Sequence, residues 1–178
     1  MLAWNDWHLL LCLILPSLGL MKPKVYIETS IPSFYHETRT SNAAVARREW
    51  THEWWEEKKH LYDIYSSDAV YGELLLAPEP KKSKCLEFVE PIEFLEITKE
   101  IITIAEVYVQ HKIMPANALG DAMHLAVSSF YQCHFLLTWN CKHLANANKF
   151  GHIQRINSML GLYVPLLITP LELLGVEP

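Results

Sequence analysis

Short apolar runs and amphipathic segments alternate along the chain from Lys24 onward. Runs of three or four β-branched, aromatic or leucine residues that are bounded by polar or turn residues are typical of buried strands. The predicted strands are, in chain order, Val25–Ile27, Tyr62–Tyr65, Phe94–Ile97, His134–Leu137 and Leu166–Ile168. Glu28 comes directly after the first of these strands and Thr138 directly after the fourth.

Apolar residues that recur three or four positions apart predict helices between these strands. After Asp121, for example, Ala122, Leu125 and Phe130 share one helical face, which leaves Asp121 near the amino-terminal end of its helix. The predicted helices are Asn42–His60, one capped by Ser67 that carries Glu73, Lys81–Glu90, Lys99–His111 capped by Thr98, one from Asp121, Cys141–Phe150, Ile153–Leu160 and a terminal one from Pro170.

Strands that alternate with helices predict a three-layer α/β/α sandwich with a mostly parallel central sheet. No internal repeat or low-complexity linker interrupts the pattern, so residues 21–178 are expected to form one domain. A chain of 178 residues is long enough to bury a core of useful size.

Residues 1–20 do not fit this pattern and are interpreted as an N-terminal extension. The apolar stretch Leu9–Leu20 is too short for a membrane span, which takes about 20 residues. A signal peptide would carry a positive amino-terminal region, whereas Asp6 is the only charged residue before the apolar stretch. Our hypothesis is that translation begins at Met21, so that residues 1–20 are either not native or a dispensable extension; an intact mass that includes residue 1 would reject it.

Composition narrows the class of protein. With 51% hydrophobic and 20% charged residues, the chain is not intrinsically disordered. The net charge of −5 argues against a broad basic surface, although a small acidic site that meets phosphates through a metal ion stays compatible with it. Six glycines form no glycine-rich phosphate loop. The four cysteines lack close pairing, which favours reduced thiols in a cytoplasmic protein without a membrane span.

Four polar residues occupy similar points of the predicted fold. Glu28 ends the first strand, Glu73 lies on the helix after the second, Asp121 begins a later helix and Asn140 follows the fourth strand. In parallel α/β sheets ligands bind beyond the carboxyl ends of the strands. Carboxylates brought together there repel one another unless a cation lies between them, and oxygen ligands suit Mg²⁺ or Mn²⁺. The alternative is that Asp121 is a helix cap and Asn140 a turn residue.

The order of these motifs resembles the PIN-domain family of metal-dependent ribonucleases, which includes the VapC-like toxins. The resemblance covers Lys24 to about Leu174. Its carriers are Val25-Tyr26-Ile27-Glu28-Thr29-Ser30, Glu73-Leu74, Gly120-Asp121-Ala122-Met123-His124-Leu125-Ala126 and Leu136-Leu137-Thr138-Trp139-Asn140.

The resemblance implies an endoribonuclease that hydrolyses RNA phosphodiesters, with the toxin of a type II toxin–antitoxin pair as one expected role. It implies an antitoxin partner and a homodimer. The resemblance also implies that Glu28, Glu73 and Asp121 hold Mg²⁺ or Mn²⁺ directly or through water, and that Asn140 orients a water or supplies an outer ligand. The hydroxyls of three further residues would fix the carboxylates by hydrogen bonds; these are Thr29, Ser30 and Thr138.

Two positions depart from the family pattern, which generally has aspartate where this chain has Glu28 and Asn140. The extra methylene moves the Glu28 carboxylate about 1.5 Å outward. Asn140 can offer an oxygen to a metal but brings no negative charge, so one tightly held metal is expected rather than two. These departures keep a second hypothesis open, a catalytically weakened or inactive PIN-fold module that binds or scaffolds.

Other residues have two interpretations each. Trp50, Trp54 and Trp55 could stack on bases, but core or dimer packing is the favoured interpretation. Candidates for phosphate contact are Arg39, Arg47, Arg48, Lys142 and His143, although ordinary solvated helix charges are the favoured interpretation of Arg47 and Arg48. A zinc site formed by two cysteines and two histidines matches no standard spacing; its residues would be Cys133, His134, Cys141 and His143.

Overall fold

The computed structural model of the protein describes residues 21–115 and 119–175. Its centre is a five-stranded sheet in which every neighbouring pair is parallel, in the order β3-β2-β1-β4-β5. The strands are β1 (Lys24–Ile27), β2 (Asp63–Ser67), β3 (Glu93–Leu95), β4 (Phe135–Leu137) and β5 (Leu166–Ile168). The predicted α/β sandwich with a mostly parallel sheet is confirmed.

Eight α-helices surround the sheet in the described part of the chain. They are α1 (Ser30–Tyr35), α2 (Asn42–Glu53), α3 (Asp68–Leu75), α4 (Lys81–Val89), α5 (Lys99–Gln110), α6 (Leu119–Phe130), α7 (Ala147–Leu160) and α8 (Pro170–Leu174). None of the described helices combines the length and the apolar character that crossing a membrane requires. The predicted extension, residues 1–20, lies outside the described residues.

The sheet separates two buried clusters, because successive side chains of a strand point to opposite faces. Tyr26 and Leu136 pack with α3 to α7 on one face. Val25, Ile27 and Leu137 pack on the other, together with α1, Trp54 and α8. The carboxyl ends of β1 and β4 therefore open between two helical layers.

Three local differences separate the structure from the pattern-based prediction. The pattern predicted no helix after β1, yet Ser30 begins α1, which accepts Pro32 in its first turn, where a missing N–H costs little. The predicted helix Asn42–His60 is regular only to Glu53 and continues as a wide π turn (Trp54–Lys58) and a 3₁₀ turn (Lys59–Leu61).

The predicted helix Cys141–Phe150 is wrong. The amides of Leu144 and Ala145 both donate to the carbonyl of Asn140, which holds this segment in a turn. The Asn146 side chain then accepts from the Asn148 amide at 3.1 Å, so one helix starts at Ala147. Its end at Gly161, with a left-handed φ of 68°, agrees with the prediction.

The tryptophans support the packing interpretation. Trp54 is completely buried in the cluster between the sheet and α2. Trp50 stacks on Trp139 with ring centroids 6.0 Å apart, and Trp55 lies 4.1 Å from Phe88. Trp54 therefore cannot stack on a nucleic-acid base without unfolding its surroundings.

A buried carboxylate organises the connection between α1 and α2. Glu37 accepts hydrogen bonds from the amides of Thr38 and Arg39, both at 2.9 Å, and from the Arg39 guanidinium at 2.6 Å. Lys81 on α4 lies 3.7 Å away. The Arg39 side chain, assisted by Lys81, lowers the pKa of Glu37 to about 2 despite its burial.

This carboxylate makes stability sensitive to acid. Its pKa is depressed in the folded state, so its contribution is present above pH 4.5 and is lost as the pH falls towards 2. We expect Glu37→Gln to cost about 1–3 kcal/mol at neutral pH and to flatten the loss of stability across that window, measured by denaturant titration at several pH values. Glu49→Gln, which removes an exposed partner of Arg48, is the control. If the stability of Glu37→Gln fell between pH 4.5 and 2 as steeply as that of the wild type, Glu37 would not be the source of the acid sensitivity.

Candidate functional site

The four polar residues singled out from the sequence lie around the carboxyl edge of β1 and β4. Glu28 directly follows β1, and Asn140 comes three residues after β4. Glu73 lies on α3, which continues from β2, and Asp121 is in the first turn of α6. The order of the parallel strands accounts for this placement, because β1 is the central strand and pairs with both β2 and β4.

Glu28 is buried, with 4% of its surface exposed, and its carboxylate is fixed by Ser30. The Ser30 amide donates to Oε2 at 2.9 Å, and the Ser30 hydroxyl donates to Oε1. The same hydroxyl accepts from the Trp139 amide at 2.7 Å. Burial raises the pKa of Glu28, although His124 and Ser30 partly oppose the rise. Ser30 therefore connects the end of β1 to the segment that follows β4.

Glu73 is partly open to solvent, since 38% of its side chain is exposed, whereas Glu28 is 4% exposed. The Thr29 hydroxyl donates to its Oε2. Burial alone would raise the pKa of Glu73, but His124 and the Thr29 hydroxyl outweigh burial and lower it. Its carboxylate also lies against the backbone of Gly120: a Cβ at that position would overlap Oε1 and lie 3.4 Å from Cδ.

Asn140 contacts Asp121 directly and uses both ends of its amide within the protein. Nδ2 donates to Asp121 Oδ1 at 2.9 Å, and Oδ1 accepts from the His143 amide at 3.1 Å. The backbone N–H of Asn140 donates to the Thr138 hydroxyl at 2.8 Å. In this arrangement Asn140 orients Asp121, whose second oxygen accepts no hydrogen bond from the described residues.

A histidine that the sequence analysis gave no role lies among these carboxylates. His124 on α6 is 1% exposed, and its Nδ1 is 2.9 Å from the Tyr26 hydroxyl, which in turn is 2.7 Å from the Ser67 hydroxyl. Its Nε2 lies 3.3 Å from Glu73 Oε1, within ion-pair range but without the alignment of a hydrogen bond. Because the Ser67 hydroxyl bonds to Tyr26, it does not cap α3 as predicted.

The charges of this group are coupled. Burial by itself would lower the pKa of His124, but Glu73, followed by Glu28 and Asp121, raises it above its ordinary value. Burial raises the pKa of Asp121, a rise that His124 opposes and Glu73 reinforces. One imidazolium can balance one of the three carboxylates, so the site retains an excess of negative charge whenever all three are ionised.

No protein-family model matches the sequence, and no curated protein matches it. The family resemblance therefore rests on the motifs, and the functional assignment rests on the geometry of the site.

The residues fit a divalent cation only as a partly hydrated site. Across residues 21–115 and 119–175, no three His, Cys, Asp or Glu side chains are arranged to hold a metal together. Mg²⁺, however, usually keeps several waters and binds through one or two carboxylates. Asp121 has a carboxylate oxygen without a donor among the described residues, and Glu73 is partly exposed.

The alternative zinc residues do not converge. His134 Nδ1 accepts from the Lys24 amide at 3.0 Å, at the start of β4, whereas Cys141 lies beyond its carboxyl end. Cys133 is buried before the strand and Cys141 is exposed after it.

The arginines proposed for phosphate contact separate into paired and unpaired groups. Arg39 pairs with Glu37 at 2.6 Å, and Arg48 pairs with Glu49 at 2.8 Å. Arg47 makes no ion pair within the described residues, and its guanidinium lies 5.3 Å from the centre of the Phe34 ring and 5.5 Å from that of Trp139. Of the three arginines, Arg47 is the one left available to an anion near the site.

Sequence reasoning missed His124 and Gly120. Both stand in the quoted motif from Gly120 to Ala126, in which Asp121 drew attention as the only carboxylate. A histidine three residues after an aspartate on one helix lies on the same face, and that spacing was the available signal.

Proposed function

We propose that this protein is a Mg²⁺- or Mn²⁺-dependent endoribonuclease of the PIN-like type. The observation that carries the proposal is the gathering of Glu28, Glu73 and Asp121 from distant parts of the chain around one buried histidine. Their negative charge exceeds what that histidine balances, which favours a divalent cation and, through it, a phosphodiester.

The protein's own side chains would prepare this site. Thr29 and Ser30 fix the carboxylates of Glu73 and Glu28 by hydrogen bonds, and Asn140 fixes one oxygen of Asp121. Glu73 and Asp121 are the residues that would hold the cation, with Glu28 acting through water or through its charge. The chemistry that a bound cation supplies is activation of water and neutralisation of charge on the phosphate oxygens.

The resemblance to VapC-like proteins extends the proposal to partners. It favours the toxin of a type II pair in the cytoplasm, a homodimer, and an antitoxin that covers the carboxylate site. A small open reading frame directly upstream of the gene would support the toxin assignment.

A second candidate function is a PIN-fold module that binds or scaffolds without efficient catalysis. Asn140 favours it, because both ends of its amide are engaged by Asp121 and His143 and it adds no negative charge. The lack of three metal-binding side chains in one arrangement among the described residues favours it as well.

Cleavage of single-stranded RNA with Mg²⁺ or Mn²⁺ separates the two candidates. We expect the wild type to cleave and Asp121→Asn to lose about 100-fold or more in rate, because the substitution removes a charge that would hold the cation. Asn140→Asp should bind Mn²⁺ more tightly, measured by calorimetry.

Two outcomes would change the assignment. Cleavage that appears only in Asn140→Asp would favour the inactive module. Wild-type activity that Asp121→Asn leaves untouched would reject the site. His152→Gln, an exposed change on α7, serves as the control.

A further inference from the structure

A cavity of about 650 Å³ lies next to the carboxylate site and is lined by cationic side chains. It is formed by the end of α5, the residues after it and the segment between β4 and α7. Lys112, Lys142, Lys149 and His143 contribute to its wall, and the described residues that line it include no Asp or Glu. Such a concentration of positive charge is unexpected in a chain with a net charge of −5. We call this feature the lysine cavity.

The lysine cavity adjoins the carboxylate site through one shared neighbour. His143 is among the residues that line the cavity, and its backbone amide donates to Asn140 Oδ1 at 3.1 Å. Asn140 in turn donates to Asp121. Two hydrogen bonds, with Asn140 between them, thus join the wall of the cavity to Asp121.

One of the ammonium groups is already held in place. The half-buried Lys149 donates from Nζ to the carbonyl of Ile113 at 3.0 Å, which uses one of its three donors. Lys112 and Lys142 are exposed. An anion that enters the cavity therefore meets one ordered cation and two mobile ones.

A second cationic group lies near the segment that follows β4, in the other helical layer. Arg47 on α2 stacks over Trp139, the residue directly before Asn140. The lysine cavity belongs to the layer of α5 and α7, on the opposite face of the sheet. Cationic groups that flank one acidic site from two layers suit an extended polyanion better than a single small anion.

We propose that the lysine cavity binds a backbone phosphate of single-stranded nucleic acid, a neighbour of the phosphodiester that lies at the carboxylate site. This inference rests on the proposed function for the identity of the strand. The cavity is a positioning site, which fixes where the strand lies relative to Glu73 and Asp121. It also explains how an acidic protein can hold an acidic polymer: the positive charge is concentrated where the strand passes.

Binding can be tested without cleavage. The probe is a fluorescein-labelled single-stranded oligonucleotide with 2′-O-methyl sugars, measured by anisotropy in the presence of a chelator and over a range of salt concentrations. We expect Lys112→Gln/Lys142→Gln to bind about tenfold more weakly. The negative slope of the logarithm of affinity against the logarithm of salt concentration should become shallower by about 1–2. Fewer counterions are released on binding when phosphate contacts are lost.

A matched control is available in Lys22→Gln/Lys99→Gln. Both lysines are exposed, and neither makes an ion pair within the described residues. Lys22 precedes β1, at the amino-terminal ends of the strands, whereas the site lies at their carboxyl ends. Lys99 begins α5, close to Glu96. The Tyr131 hydroxyl, just after the end of α6, donates to the Glu96 carbonyl at 2.9 Å, so Lys99 lies near the end of α6 that is opposite Asp121. The control should change affinity by less than about twofold, and Lys142→Arg, which keeps the charge, should bind as the wild type does.

Several outcomes would overturn the inference. One is an equal affinity and salt slope for the cavity variant and the control. Another is that inorganic phosphate at the same phosphate concentration competes as well as unlabelled oligonucleotide, which would assign the cavity to a free anion. A third is a poly-glutamate peptide that competes more strongly than the oligonucleotide, which would assign it to an acidic protein segment.

The same measurement keeps the two proposals apart. Asp121→Asn is expected to retain oligonucleotide binding in chelator while it loses cleavage. If the wild type cleaves no RNA but its binding still depends on Lys112 and Lys142, the lysine cavity stands and the nuclease assignment fails.

Discussion

Gly120→Ala is expected to reduce RNA cleavage by about 100-fold while the protein remains at least as stable as the wild type. The added methyl group would overlap Oε1 of Glu73, the far end of a flexible side chain that can rotate away. Displacement of a site group by about 1 Å can cost this much in rate. Alanine in a helix is favoured over glycine by up to about 1 kcal/mol, so folding itself should not suffer.

The control for this substitution is Gly151→Ala in α7, where an added Cβ meets no atom within 4 Å. Both variants gain the same helix propensity, and only one of them displaces Glu73. Gly120→Ala should therefore keep the melting temperature of the wild type, or exceed it, while its cleavage rate falls. Gly151→Ala should keep both the melting temperature and the cleavage rate of the wild type, or exceed them. The rise in melting temperature caused by Mn²⁺ should also shrink in Gly120→Ala, a measurement that needs no catalysis. Equal cleavage by the two variants would contradict the placement of Glu73 in the site.

His124→Gln is expected to destabilise the protein by about 3–5 kcal/mol, the typical cost of removing one partner from a buried charged group. Without the imidazole, three carboxylates lose the positive charge that faces them, and the Tyr26 hydroxyl loses its partner at 2.9 Å. Denaturant unfolding at neutral pH measures the change. His152→Gln, on the exposed side of α7, should stay within about 0.5 kcal/mol of the wild type.

A double-mutant cycle isolates the charge effect. Adding Glu73→Gln to His124→Gln removes one of the unbalanced carboxylates, so the double variant should be more stable than the sum of the two single losses predicts, by about 1 kcal/mol or more. Strict additivity would mean that His124 stabilises the fold through packing and its bond to Tyr26 alone.

The periodicity of the sequence was sufficient to predict the sheet. Its short apolar runs are strands, of which β1 and β4 are the most buried, and their alternation with helices leaves a parallel arrangement as the main solution. The ends of β1 and β4 are predictable in the same way, so Glu28 and Asn140 could be placed at one edge. Local hydrogen bonds were predictable too: Thr98 caps α5 by accepting from the Ile101 amide.

The surroundings of His124 could not be read from the same pattern. Its partner Tyr26 is 98 positions away, and Tyr26 looks like any aromatic residue of a buried strand. The start of α7 failed for a related reason: the Ala145 amide donates to the carbonyl of Asn140, whereas a continuous helix would have bonded it to the carbonyl of Cys141. Local sequence signals do not encode which distant polar group satisfies a buried one.

The hydrogen bond from the Trp139 amide to the Ser30 hydroxyl has a consequence for how the protein is made. It joins residues 109 positions apart, across the pair of β1 and β4 at the middle of the sheet. Such a contact forms only after a long loop has closed. No amino-terminal fragment that stops short of β4 can therefore bring Glu28, Asp121 and Asn140 together. During synthesis, any activity of this site would begin only after the segment that ends at Asn140 has left the ribosome.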